Sequence, residues 1–197
     1  MFVDYLLYFL LIFFGIGVLS PFLISKNHIV NYVAHGMAAL GCLAAVLCAI
    51  IVFNNGKMAL ITSFMLFTEP VYIRLDYLAA FFLLLIGGIG CVTSLYAIGY
   101  SREYLEDGCR YRVMAALYNA FLLSMLVVVS VGHVAAFIIA WEIMALTSFL
   151  LVNYEHEKNE VGRAAFIYIV MTHVGTALLL PLFFYWLVWP EVWIFCV

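Results

Sequence analysis

The stretch AWEIMALTSFLLV, Ala140 to Val152, sets one carboxylate, Glu142, inside an otherwise uncharged apolar run that begins just after Arg112 and ends at Tyr154. A charged side chain deep in a bilayer costs about 2.5–3.5 kcal/mol on insertion scales, so such residues face a protein interior and serve a purpose. The uncharged sequence around Glu142 decides the fold class. A hydrocarbon layer of ~30 Å is crossed by about 20 apolar residues. Six stretches of that kind run 3–24, 29–53, 78–99, 113–131, 134–152 and 164–187. They are apolar on all sides rather than alternating, and in lipid only helices or closed barrels satisfy their own backbone, so helices are expected. The sequence predicts an all-α polytopic transmembrane bundle, a single domain over residues 1–197.

Composition agrees with that reading. Apolar residues make up 69% and charged residues 10%, whereas in soluble chains the charged share approaches a quarter. The net charge of −3 sits in loops and no basic run tracks a phosphate backbone, which excludes nucleic acid as a partner. The cysteines, Cys42, Cys48, Cys91, Cys109 and Cys196, form no C-x-x-C pair and read as small core residues, so no metal or cofactor ligand set is expected. Near the N-terminus stands Asp4 rather than a basic segment, and the first apolar run is too long for a signal-peptide core; it reads as a retained span.

Loop charges orient the bundle. Lys26, Arg102, Arg110, Arg112, Lys158 and Arg163 lie in the first, third and fifth loops, against Lys57 and Arg74 in the second and fourth. Since cytoplasmic loops are enriched in Lys and Arg, both termini are expected outside. The third loop, SREYLEDGCRYR, reads as a solvated cytoplasmic face. Between Asn54 and Asp76 the apolar segment Met58–Thr68 is too short to cross, Asn-Asn-Gly and Glu69-Pro70 bracket it as turn signals, and VYIRLD is strand-like. A short outer-face hairpin packed on the bundle or a neighbour is expected there. In the second helix Gly41, Ala45 and Ala49 repeat a small residue every four positions and permit close helix approach. Gly87, Gly88 and Gly90 mark close packing or a flexible point in the third. His28 and His35, seven apart, read as boundary and interhelical hydrogen-bonding groups in preference to a proton path.

Two polar residues fall deep in their helices. Counted from His133, Glu142 lies about 14 Å in; counted from Arg163, His173 lies about 15 Å in. The two are expected at one depth, facing each other or a common water-filled cavity. Apolar residues hold the helix-neighbour positions of Glu142, so its charge is to be matched by another helix, by water or by protonation. His173 changes charge near neutrality and suits a relay, with Thr172 and Thr176 beside it. Pro181 is expected to kink the outer half of the same helix.

The Trp141-Glu142 pair, followed by FIYIVMTHVGTALLL, resembles the antiporter-like membrane subunits of respiratory complex I, multisubunit sodium/proton antiporters and membrane-bound hydrogenases. THVGT and NYEHEKNEVGRA point to the branch of hydrogenase-4 component B and formate hydrogenlyase subunit 3. The resemblance implies a proton- or sodium-translocating membrane subunit, itself without catalysis or cofactor. Its implied partners are the other membrane-arm subunits and a peripheral redox arm, in a bacterial or archaeal inner membrane. Glu142 matches the family's functional glutamate, which pairs with a lysine on a broken seventh helix, and His173 falls where some relatives carry arginine. Family members have about fourteen helices, so this sequence is expected to be the N-terminal part of such a subunit, a truncated or frame-shifted product or a fragment, with LVWPEVWIFCV unlike the usual loop after the sixth helix. The alternative is a truncated, non-transporting scaffold that holds neighbouring subunits. An intramembrane enzyme has little support: there is no G-x-S-x-G, and HEKNE lacks the second histidine of a zinc-protease motif.

Overall fold

A computed structural model describes residues 2–56, 58–66, 69–155, 157 and 159–188. Lys57, His156, Lys158 and the closing stretch 189–197, with Cys196, lie outside the described residues. Six helices follow in order: α1 (Phe2–Leu23), α2 (Asn27–Asn55), α3 (Tyr77–Tyr100), α4 (Cys109–Ser130), α5 (Val134–Val152) and α6 (Asn159–Val188). All six are long and apolar enough to cross a membrane, and the chain is an integral membrane protein. Two compact units are distinguished, Met1–Leu151 and Val152–Val197.

Within the first unit α2 is the central helix, packed on α1, α3 and α4. Small residues make this possible. A Cβ on Gly87 would stand 2.8 Å from the Cys42 carbonyl oxygen and one on Gly90 2.6 Å from the Cys42 Sγ, so α3 lies against α2 through its glycines. Gly41 makes room on the other side of α2 for the ring of Phe14 from α1. Gly87 and Gly90 therefore serve close packing, whereas Gly88 and Gly99 of the same helix meet open space. Cys42, Ala45, Cys48, Ala49, Phe14 and Leu83 form the fully buried interior with Leu122 and Leu126.

Between α2 and α3 runs the expected hairpin. Strand β1 (Met58–Leu66) pairs antiparallel with β2 (Glu69–Leu75), with a register shift between Ile61 and Met65. Two isolated strands are marginal in water, and here β2 finds further partners. Ile73 bridges to Val131, and the Gly132 N–H donates to the Tyr72 carbonyl at 2.9 Å, which ties the hairpin to the connection between α4 and α5. The turn into α3 is closed by Asp76, whose carboxylate accepts from the Ala79 N–H at 2.8 Å as an N-cap.

At the other end, a 3-10 segment, Ser101–Asp107, joins α3 to α4. Helix α4 starts at Cys109, earlier than the apolar run alone indicates, because Arg110 and Arg112 extend its first turn beyond the apolar stretch. The long aliphatic stems of such residues let a helix continue past its hydrophobic part. Helix α6 likewise begins at Asn159 and runs through Pro181.

Candidate functional site

Glu142 stands one residue from the middle of the 19-residue helix α5 and is the only charged residue in it. At ~100° per residue, Ile139, Ile143, Leu146 and Leu150 align into an open apolar stripe, each close to half exposed. Buried Ala140 and Thr147 lie on one flank of that stripe, and buried Ser148 on the opposite side. Glu142 sits on the flank between the open stripe and buried Ala145, and is half-buried. The carboxylate is thus turned away from the centre of the most exposed face. The hydroxyls of the helix are occupied locally: Thr147 donates to the Ile143 carbonyl at 2.7 Å and Ser148 to that of Ala145 at 2.9 Å. At the helix start, the His133 Nδ1 accepts from the Ala136 N–H at 3.3 Å and caps it.

Trp141, beside Glu142 in sequence, is half-buried and stacks on Phe137 with ring centroids 5.9 Å apart. Its indole N–H is buried and donates to no group among the described residues. An orphaned donor of this kind one residue from a carboxylate is a place where a further polar group or water completes the bonding.

In the second unit, His173 lies at the middle of the 30-residue α6 and is exposed. Its Nδ1 donates to the Ile169 carbonyl at 2.9 Å. In the neutral ring that bond assigns the proton to Nδ1 and leaves Nε2 as the acceptor. Thr172 donates to the carbonyls of Tyr168 (3.1 Å) and Ile169 (2.9 Å), and Thr176 to that of Thr172 (3.2 Å), so both hydroxyls serve their own helix. Glu142 and His173 belong to different compact units.

The family model for the transmembrane part of NADH:quinone oxidoreductase and Mrp antiporter subunits matches residues 131–191, the span that holds α5 and α6 with Trp141, Glu142, Thr172, His173 and Thr176. The chain is 32% identical over 111 residues to hydrogenase-4 component B of Escherichia coli (strain K12), covering 56% of this chain. It is 35% identical over 105 residues to NADH-quinone oxidoreductase subunit L of Mycobacterium tuberculosis (strain ATCC 25618 / H37Rv), covering 53% of this chain. Over these spans the chain is similar to the antiporter-like membrane subunits. Each of these alignments spans 16% of the relative's length. A chain of an archaeal respiratory membrane complex, the membrane-bound sulfane sulfur reductase, superposes with a TM-score of 0.67 over 89% of this chain and 34% of that one. At 18% identity, that superposition shows a common fold.

One polar group of the chain was not singled out from sequence. Asn31, Ser94, Ser101, Tyr111 and Asn119 gather with His35 among α2, α3 and α4, and all six are buried. The signal was the four-residue spacing of Asn27, Asn31 and His35, which places them on one face of α2.

Proposed function

We propose that this chain acts as a membrane subunit, or part of one, in a redox-driven complex that moves protons or sodium ions across a bacterial or archaeal cell membrane, with Glu142 in the ion path. The position of Glu142 carries the reading: a lone carboxylate at the middle of an otherwise uncharged spanning helix, inside the segment matched by the family model. Maintaining an ionisable group at that depth is costly, and such groups mark ion paths and proton relays. A carboxylate there alternates between meeting a cation and carrying a proton, which is the elementary step of translocation. His173, at the middle of α6 with its tautomer set by Ile169, is a second relay candidate. Trp141, Thr172 and Thr176 support these two groups by shaping the helices that carry them.

The partners are the other membrane-arm subunits and a peripheral arm that holds the redox centres. Both termini lie outside, so the Ser101–Asp107 segment faces the cytoplasm. The resemblance to hydrogenase-4 component B makes a hydrogenase-type assembly the first to examine. In membrane vesicles holding the intact complex, Glu142→Gln is expected to preserve assembly and electron transfer while dye-detected acidification is lost, with Glu142→Asp retaining part of it. Full acidification by a normally assembled Glu142→Gln complex refutes the assignment and leaves the scaffold role, in which the helices only hold neighbours together.

A further inference from the structure

The interior of the first unit holds a polar file that the proposed ion path through Glu142 does not use. On α2, Asn27, Asn31 and His35 follow one another at four-residue spacing, over about 12 Å of helix. Each reaches a neighbouring element. Asn27 donates through Nδ2 to the carbonyls of Leu105 (2.7 Å) and Gly108 (3.2 Å), at the 3-10 end of the bundle. Asn31 donates to the Ile98 carbonyl at 2.9 Å, and the His35 Nε2 lies 3.3 Å from the Ser101 Oγ. From α4, Asn119 donates to the carbonyls of Ala34 (3.2 Å) and Ala115 (3.0 Å), and the Tyr118 ring meets that of His35 edge-on at 5.3 Å. The Tyr118 hydroxyl continues the file to Ser94 at 2.9 Å and Thr93 at 3.1 Å.

Among the described residues, four atoms of this file have no hydrogen-bond partner: Asn31 Oδ1, His35 Nδ1, the Tyr111 hydroxyl and Asn119 Oδ1, the last of which lies against Gly17 of α1. Their residues are shielded almost completely, at 0%, 2%, 0% and 0% exposure. The Tyr111 hydroxyl lies beside Ser101, the same residue that His35 meets, without reaching hydrogen-bond geometry. Native interiors leave few polar atoms unsatisfied, and where the chain supplies no partner, buried water does. The chemistry of Asn31, His35 and Tyr111 selects the ligand. The Asn31 amide oxygen only accepts, so the bridging species must donate, while the imidazole nitrogen and the phenol take either role. Water does both.

We propose that α2, α3 and α4 enclose a hydrated site in which water bridges Asn31, His35 and Tyr111, and puts His35 in proton exchange with the end of the bundle formed by the 3-10 segment. The site is separate from Glu142 and stands whether or not that residue carries ions.

The test uses the full chain in lipid nanodiscs. Hydroxyl radicals generated by a brief X-ray pulse oxidise side chains next to bound water even where bulk solvent is excluded. Tyr111 and His35 are expected to oxidise several-fold faster than Phe14, which is equally buried among apolar neighbours. Histidine-labelled chain is expected to show an imidazole–water exchange peak that disappears in His35→Gln. Oxidation of Tyr111 and His35 at the rate of Phe14 overturns the proposal, and so does an exchange spectrum unchanged by His35→Gln. The footprint of the unsubstituted chain decides the matter if the variant does not fold.

Discussion

Helices α2, α3 and α4 reach one another through Asn31 and Asn119, whereas Thr147 of α5 and Thr172 and Thr176 of α6 bond to their own helices. Asn31 bonds to the Ile98 carbonyl and Asn119 to that of Ala34, each crossing from one helix to the next. Thr147, Ser148, Thr172 and Thr176 instead donate to carbonyls three or four residues earlier in their own helices. A cross-helix bond fixes the register of two helices, since the acceptor is one particular carbonyl. A bond within one helix fixes nothing beyond it. The first group thus acts as a frame with few alternatives, and α5 and α6 combine a midpoint ionisable group with wide apolar surfaces, such as Met171 and Leu178.

The sharpest way to break that comparison is to truncate large side chains on both sides of it. Phe14→Ala empties a site fully enclosed against Gly41 and is expected to cost about 3–5 kcal/mol. Ile143→Ala, on the open stripe of α5, should stay within about 0.5 kcal/mol. Unfolding of the purified chain in mixed micelles measures both, and equal losses would dissolve the distinction. Next in size is Gly87→Val. Its Cβ would press on the Cys42 carbonyl, a backbone atom that cannot swing aside, with an expected loss of about 1–3 kcal/mol in the same assay. Gly88→Val, facing open space, serves as its control.

Asp76→Ala removes the cap of α3 and should cost about 1 kcal/mol, read from the same unfolding curves, while Asp76→Asn keeps most of the stability. The smallest effect is one of accessibility rather than energy. Cys109, exposed at the start of α4, is expected to escape a membrane-impermeant maleimide in intact cells and to react in inverted vesicles, with Cys109→Ser as the reference. Labelling in intact cells would reverse the proposed orientation.

Much of the frame was legible in sequence. Helix α5 was bounded by its apolar run to the residue, and the hairpin by Asn-Asn-Gly, Glu69-Pro70 and the β-branched VYIRLD. The start of α4 was not, because hydropathy stops at Arg112 whereas the helical backbone continues to Cys109. Gly87 and Gly90 left packing and flexibility equally open, since only the position of Cys42 on another helix decides between them. The roles of Asn31 and Asn119 were out of reach for the same reason: their acceptors are backbone carbonyls, identical in every residue and selected by tertiary placement. His35 was read as an interhelical hydrogen-bonding group, and the Ser101 contact is of that kind. Its orphaned Nδ1 was invisible without the other helices. The midpoint location of Glu142 needed only helix length, which sequence supplies, whereas its partial burial depended on which stripe of α5 stays open.

The proposed ion path depends first on Glu142. The number of protons moved per electron transferred, measured for the intact complex carrying Glu142→Gln at a level of assembly equal to the unsubstituted complex, tests it most directly. A ratio that falls sharply while electron transfer persists is the predicted result. An unchanged ratio would contradict the account.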